Sequence, residues 1–97
     1  MSVYVITQGK IENRAMLDQY VAKVVPTIAS HQGRILAFDE RPEVIEGSID
    51  HPRTVIIEFP SITAFRGWYE SPEYQEILPL RLKSTPGTLI VAKGFTP

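Results

Sequence analysis

Apolar residues along the chain follow two rhythms, one of period two and one of period three to four, and the switches between them mark out the elements. "SVYVITQG" is rich in β-branched and aromatic residues and closes on Gly9, which predicts a largely buried strand over residues 3 to 8. From Asn13 the period changes. Leu17, Tyr20, Val21, Val24 and Ile28 recur at helical spacing, so a helix with one apolar face runs from an Asn13 cap to about His31. Pro26 loosens a backbone hydrogen bond in its last turns, and Gly33 suits the left-handed position just beyond the end.

"GRILAFD" (33 to 39) reads as a second strand, with "EVIEG" (43 to 47) as its extension or a short strand of its own after the "ERP" turn. "RTVIIEF" (53 to 59) is the strongest strand signal. Pro60 closes it, and Ser61 caps a helix carrying Ile62, Phe65, Trp68 and Tyr69 at three- and four-residue spacing. In "GWYESPEY" (67 to 74), Ser71 caps again, Pro72 fits the first helical position and Glu73 complements the positive helix end. This is a junction between helices. The new helix, residues 72 to 83, directs Tyr74, Ile77, Leu78 and Leu82 to the core, bent by Pro79; "TPG" ends it, and residues 88 to 94 form the last strand.

The order strand, helix, strand, strand, helix, strand in one domain of 97 residues predicts an α+β, ferredoxin-like plan: a four-stranded antiparallel sheet with helices on one face. The sheet's other face also carries apolar side chains, because Ile56 sits between Val55 and Ile57, and Ile90 and Ala92 alternate with Leu89 and Val91. An antiparallel sheet exposed to water on one side shows cleaner alternation. A second copy of the chain is the simplest cover, so a homodimer through the open sheet face is expected.

Composition narrows function by exclusion. The net charge is -1 with 22% charged residues, so nothing announces nucleic-acid binding. Cysteine is absent, which removes disulfides, thiolate nucleophiles and Cys-bound zinc. No apolar run reaches the roughly 20 residues that span a bilayer, and the amino terminus lacks a signal-peptide pattern, so a soluble, cytoplasmic protein is expected. Glycines occur singly at turns and do not form a nucleotide fingerprint; no cofactor is expected. His31 and His51 lie too far apart to suggest a metal site.

"EG" (46 to 47), "PRTVIIEFPS" (52 to 61) and "WYESPEYQEILPLR" (68 to 81), supported by "YVI" (4 to 6), "VVPTIASHQGRIL" (24 to 36) and "VAKG" (91 to 94), resemble the bacterial family numbered 1330 among the domains of unknown function. The likeness spans nearly the whole chain. One departure is Gln32, where members commonly carry glycine. The resemblance implies the dimeric α+β barrel superfamily, in which two ferredoxin-like units pack sheet against sheet and enzymes generally hold their pocket between sheet and helices. That superfamily contains cofactor-independent monooxygenases, isomerases, haem enzymes and stress-response proteins, so it implies no single reaction.

Candidate chemistry centres on Glu58, which shares a face with Ile56 and needs an arginine partner if it leaves water; Arg34, Arg53 and Arg81 are available. An unpaired buried Glu58 would act as general acid or base, whereas a paired one would fix sheet or dimer register. Glu46 carries the same ambiguity. His31 either caps its helix end or moves a proton, and His51 lies solvated in a turn. Trp68, Tyr69 and Tyr74 are read first as hydrophobic anchors with polar tips, and second as a pocket lining.

Two functions stay open. In the first, the dimer binds a small organic molecule in the sheet-helix cavity, in its fullest form as a cofactor-independent enzyme: Glu58, His31 and Arg53 are catalytic, and Arg34, Glu46, Trp68, Tyr69, Tyr74 and Arg81 bind the ligand. In the second, a stress-type or structural interaction protein fills that cavity with its own side chains. An enzyme calls for a pocket of about 300 Å³ or more with convergent polar groups, the alternative for close packing.

Overall fold

A computed structural model describes residues 1–97. Seven elements follow in the order β1 (Val3–Gly9), α1 (Arg14–Ser30), β2 (Arg34–Asp39), β3 (Arg53–Phe59), α2 (Ile62–Tyr69), α3 (Pro72–Ser84) and β4 (Gly87–Lys93). The strands form one antiparallel sheet in the order β2-β3-β1-β4, the ferredoxin-like arrangement predicted from the sequence.

Each helix begins where a polar side chain satisfies a free backbone N–H. Asn13 accepts from the Met16 N–H at 3.0 Å, Ser61 from Ala64 at 3.0 Å and Ser71 from Tyr74 at 3.2 Å. The Ser71 hydroxyl also donates to the Trp68 carbonyl at 2.7 Å, so one serine ends α2 and starts α3. "GWYESPEY" is thus a helix-to-helix junction. Its aromatics are nevertheless drawn into the core.

Strand register places side chains in rows across the sheet. On the helix side run Val5, Ile57 and Val91, then Thr7, Val55 and Leu89, and finally Gly9, Arg53 and Gly87. The last row has a single large side chain, Arg53, beside Gly9, with Gly87 on the far side of Gly9; the space over Gly9 is taken by Thr85. On the open side run Tyr4, Glu58 and Ala92, then Ile6, Ile56 and Ile90, then Gln8, Thr54 and Thr88. The helix-side residues make the core with Leu17, Tyr20, Val24 and Ile28 of α1, and with Phe65, Trp68 and Tyr74.

Three local expectations need correction. Residues 43–47 form no strand: Asp39 accepts the Arg41 N–H at 2.9 Å to end β2, Pro42 withholds a donor, and Gly47 turns the chain with φ 82°. Gly33 is not the left-handed residue after α1; Gln32 is, at φ 68°. Gly33 is needed for a different reason, because a Cβ there would lie 2.6 Å from Ile28 and 2.8 Å from the Phe59 ring. Finally, Leu82 is exposed, since α3 buries the stripe Tyr74, Ile77, Arg81 and Ser84. The helical spacing was right, but one of its inward positions is an arginine.

Candidate functional site between the sheet and the helices

A small, partly open cavity of about 30 Å³ lies between the sheet and the helices. β3 contributes Arg53, Val55 and Ile57 to its wall, α1 contributes Tyr20 and Val24, and α2 and α3 contribute Trp68, Tyr74 and Arg81. Its volume is about that of one water molecule in the liquid. Apolar atoms make nearly all of its accessible lining; Tyr20, Tyr74, Arg53, Arg81 and Thr7 stand around it but contribute almost no polar surface to it.

These groups have a definite order. Arg81 Nε–H donates to the Tyr74 hydroxyl at 3.2 Å, and the Tyr74 and Tyr20 hydroxyls lie 3.0 Å apart. With Arg81 donating to it, the Tyr74 hydroxyl serves best as donor to Tyr20, which leaves the Tyr20 O–H for a further acceptor. Burial, reinforced by Tyr74, raises the Tyr20 pKa, so this hydroxyl stays protonated.

Arg53 is 4% exposed and Arg81 8%. Neither forms an ion pair: those present join Arg14 to Asp18 and Glu40, His31 to Glu73, and Arg34 to Glu58. Arg53 Nε is buried without a hydrogen-bond partner, and its guanidinium stands 5.0 Å from the centre of the Phe38 ring. Burial lowers the Arg53 pKa, but a guanidinium remains charged at any physiological pH.

The other candidates lie elsewhere. Glu58 projects from the opposite, open face of the sheet, where it accepts from Arg34 Nη2 at 2.8 Å and from the Tyr4 hydroxyl at 3.2 Å. Burial opposes its ionisation, yet these bonds prevail and hold its carboxyl below the usual range. His31 ends α1, with Nδ1 2.9 Å from the Thr27 carbonyl and Nε2 3.1 Å from Glu73 of α3. Glu58, His31 and Arg53 therefore occupy three separate surroundings and do not meet as a catalytic group. Glu46 stands exposed in the 40–52 connection, far in character from a cavity wall, and Arg34 is on the open face. Of the expected ligand-binding residues, Trp68, Tyr74 and Arg81 line the cavity; Tyr69 is half-buried and packs on Phe65 and Tyr74 beside it.

Sequence reasoning passed over Tyr20 as a lining residue, because at helical spacing it reads as one more core position. The signal was available in its chemistry: a buried tyrosine hydroxyl requires a partner.

The sequence matches the family model described as "Domain of unknown function (DUF1330)" over residues 2–95. The chain belongs to this family. No curated protein sequence matches it. Among solved structures, a Rhodopseudomonas palustris protein of unknown function is similar at TM-score 0.78 and 17% identity, over 99% of this chain and 84% of that one. SnoaB, a cofactor-independent oxygenase from Streptomyces nogalater, aligns at TM-score 0.72 and 13% identity, over 99% and 95% of the two chains. A dimeric ferredoxin-like protein from Jannaschia sp. CCS1 aligns at TM-score 0.70 and 14% identity, over 97% and 100%. At such identities the likeness shows the fold this DUF1330 member shares with them, and no helix in it is long and apolar enough to cross a membrane.

Proposed function

We propose that this DUF1330 protein is a single-domain homodimer that binds a small organic molecule between its sheet and helices. One observation carries the reading: between the sheet and the helices lies a small cavity with an almost wholly apolar accessible lining, to which Val24, Val55, Trp68 and Tyr74 contribute, a surface suited to an organic group.

Pairing through the open face is supported by the Ile6, Ile56 and Ile90 row, in which Ile90 is 55% exposed, and by the dimeric state named for the Jannaschia protein. The oxygenase activity named for SnoaB stays with SnoaB. Glu58, His31 and Arg53 do not converge, so the proposal is binding and not catalysis by those three.

One observation favours the second reading, a non-catalytic interaction protein with a filled core: the cavity holds about 30 Å³, a small fraction of an ordinary ligand pocket. Native mass spectrometry of freshly purified protein, against a denatured control, separates the two. A dimer with extra mass that is lost on denaturation supports the binding function. A clean dimer favours the interaction protein, and a monomer removes the argument from the open sheet face.

A further inference from the structure

We infer that residues 43–49 form an arm that, in the homodimer, crosses to the second copy and pairs its backbone with the free edge of that copy's β4. The inference rests on the dimer proposed above and names what that dimer does with the 40–52 connection.

The backbone gives the first reason. Residues 40–52 join neighbouring antiparallel strands, a task for which about two to five residues suffice. Within the chain, no backbone N–H or carbonyl of residues 43–51 forms a hydrogen bond, and every one of these residues is exposed. Loops that face only water are built from polar residues and glycine. This one holds Val44 and Ile45 side by side and Ile49 just beyond, with Ile45 80% exposed. Such β-branched side chains favour extended backbone, and an extended backbone finds its hydrogen-bond partners along the edge of a sheet.

Position gives the second. Ile49, Asp50 and His51 line an open groove together with Gln8, Gly87 and Thr88. Gln8 and Thr88 belong to the open-side row next to Ile6, Ile56 and Ile90, so the connection is continuous with the surface proposed for pairing and extends it past the end of the sheet.

Of the two edges of the sheet, β2 is interrupted where its register slips between Ile35 and Ala37, a device that blunts an edge. β4 runs in unbroken register on β1 from Gly87 to Lys93 and has no neighbour on its other side. Charge agrees. Residues 43–51 carry Glu43, Glu46 and Asp50 and no lysine or arginine, β4 carries Lys93 and no acid, and none of these four forms an ion pair in its own chain. Two-fold symmetry makes the contact reciprocal, so each β4 edge is covered and the assembly closes at two copies.

The test reads amide hydrogen exchange residue by residue, by NMR, on the full chain, with its assembly state followed by sedimentation velocity. In the dimer, the amides of residues 43–49 should exchange at least about tenfold more slowly than those of a free peptide of the same sequence. Ile45→Glu, checked for an intact fold by circular dichroism, should weaken dimerisation at least about tenfold and speed exchange of the outward amides of β4. A dimer whose 43–49 amides exchange as fast as the peptide's overturns the arm and leaves pairing through the open face standing. A dimer that Ile45→Glu does not weaken overturns it equally, as does faster exchange in β2 and not in β4. A parent chain that stays monomeric removes both the arm and the interface beneath it.

Discussion

Tyr20 and Tyr74 place their hydroxyl oxygens 3.0 Å apart between α1 and α3, with their rings edge to face, and Arg81 donates to the second of them. The pair ties the two longest helices together through the cavity wall. Tyr74→Phe strands both the Tyr20 hydroxyl and Arg81 Nε, so it should cost about 1–3 kcal/mol in urea denaturation. Tyr20→Phe should cost less, and the double variant less than the sum of the two. Strict additivity would mean that the hydroxyls do not depend on each other.

Trp68 is 1% exposed, packs 5.4 Å from Phe59 between ring centres, and donates its indole N–H to Thr27 Oγ1 at 3.0 Å. Trp68→Ala removes the largest core side chain and leaves Thr27 without its donor, which should cost about 3–5 kcal/mol. An unchanged melting temperature would refute its role as a core anchor.

Gln32 holds φ at 68°, a conformation that costs a residue with a Cβ about 1–2 kcal/mol. Gln32→Gly relieves that strain but adds freedom to the unfolded chain, so the net gain should reach at most about 1 kcal/mol. The readout is the denaturation midpoint. A destabilised variant would show that the Gln32 side chain supplies something its backbone strain conceals.

The Glu58 carboxyl has a lower pKa in the folded chain than in the unfolded one, where about 4.3 is ordinary. Its contribution to stability is therefore complete above that value and is lost as pH falls through the folded value. Glu58→Gln should lower the melting temperature relative to the parent at pH 7, with the gap closing at pH 3. A gap of constant size would assign the loss to shape and not to charge.

Ile90 stands at the end of the isoleucine row on the open face. Ile90→Lys should convert the proposed dimer to a monomer in sedimentation velocity while leaving the circular dichroism spectrum intact. A dimer that survives the lysine would move the interface away from this row.

Most of the fold was legible because its determinants are local. Strand and helix limits fell within about one residue where a cap or a proline marks them, as at Asn13, Ser61, Pro60 and the Ser71–Pro72 junction. The misreading at 43–47 has the opposite cause: "EVIEG" carries strand-like composition, but a strand exists only where a neighbour offers its backbone, and β3 starts at Arg53. The cavity was harder to see. The sequence offers Arg81 as a ligand contact or a partner for Glu58, but nothing along the chain says that the helix turns this arginine inward beside Tyr74 and Leu82 outward. Arg53 is offered as a catalytic partner of Glu58, but the two lie five residues apart on one strand and so project from opposite faces of the sheet, Arg53 towards the helices and Glu58 towards the open side.

The helix layer is pinned at several points: Trp68 to Thr27, His31 to Glu73, and Tyr20 to Tyr74, while α1 has few contacts with β2. Compliance is thereby concentrated along one rim. β2 is an edge strand whose pairing with β3 slips between Ile35 and Ala37, just before Phe38. In evolutionary terms, this edge is where substitutions can reshape the cavity wall beside Phe38 with the least disturbance to the clasped helices.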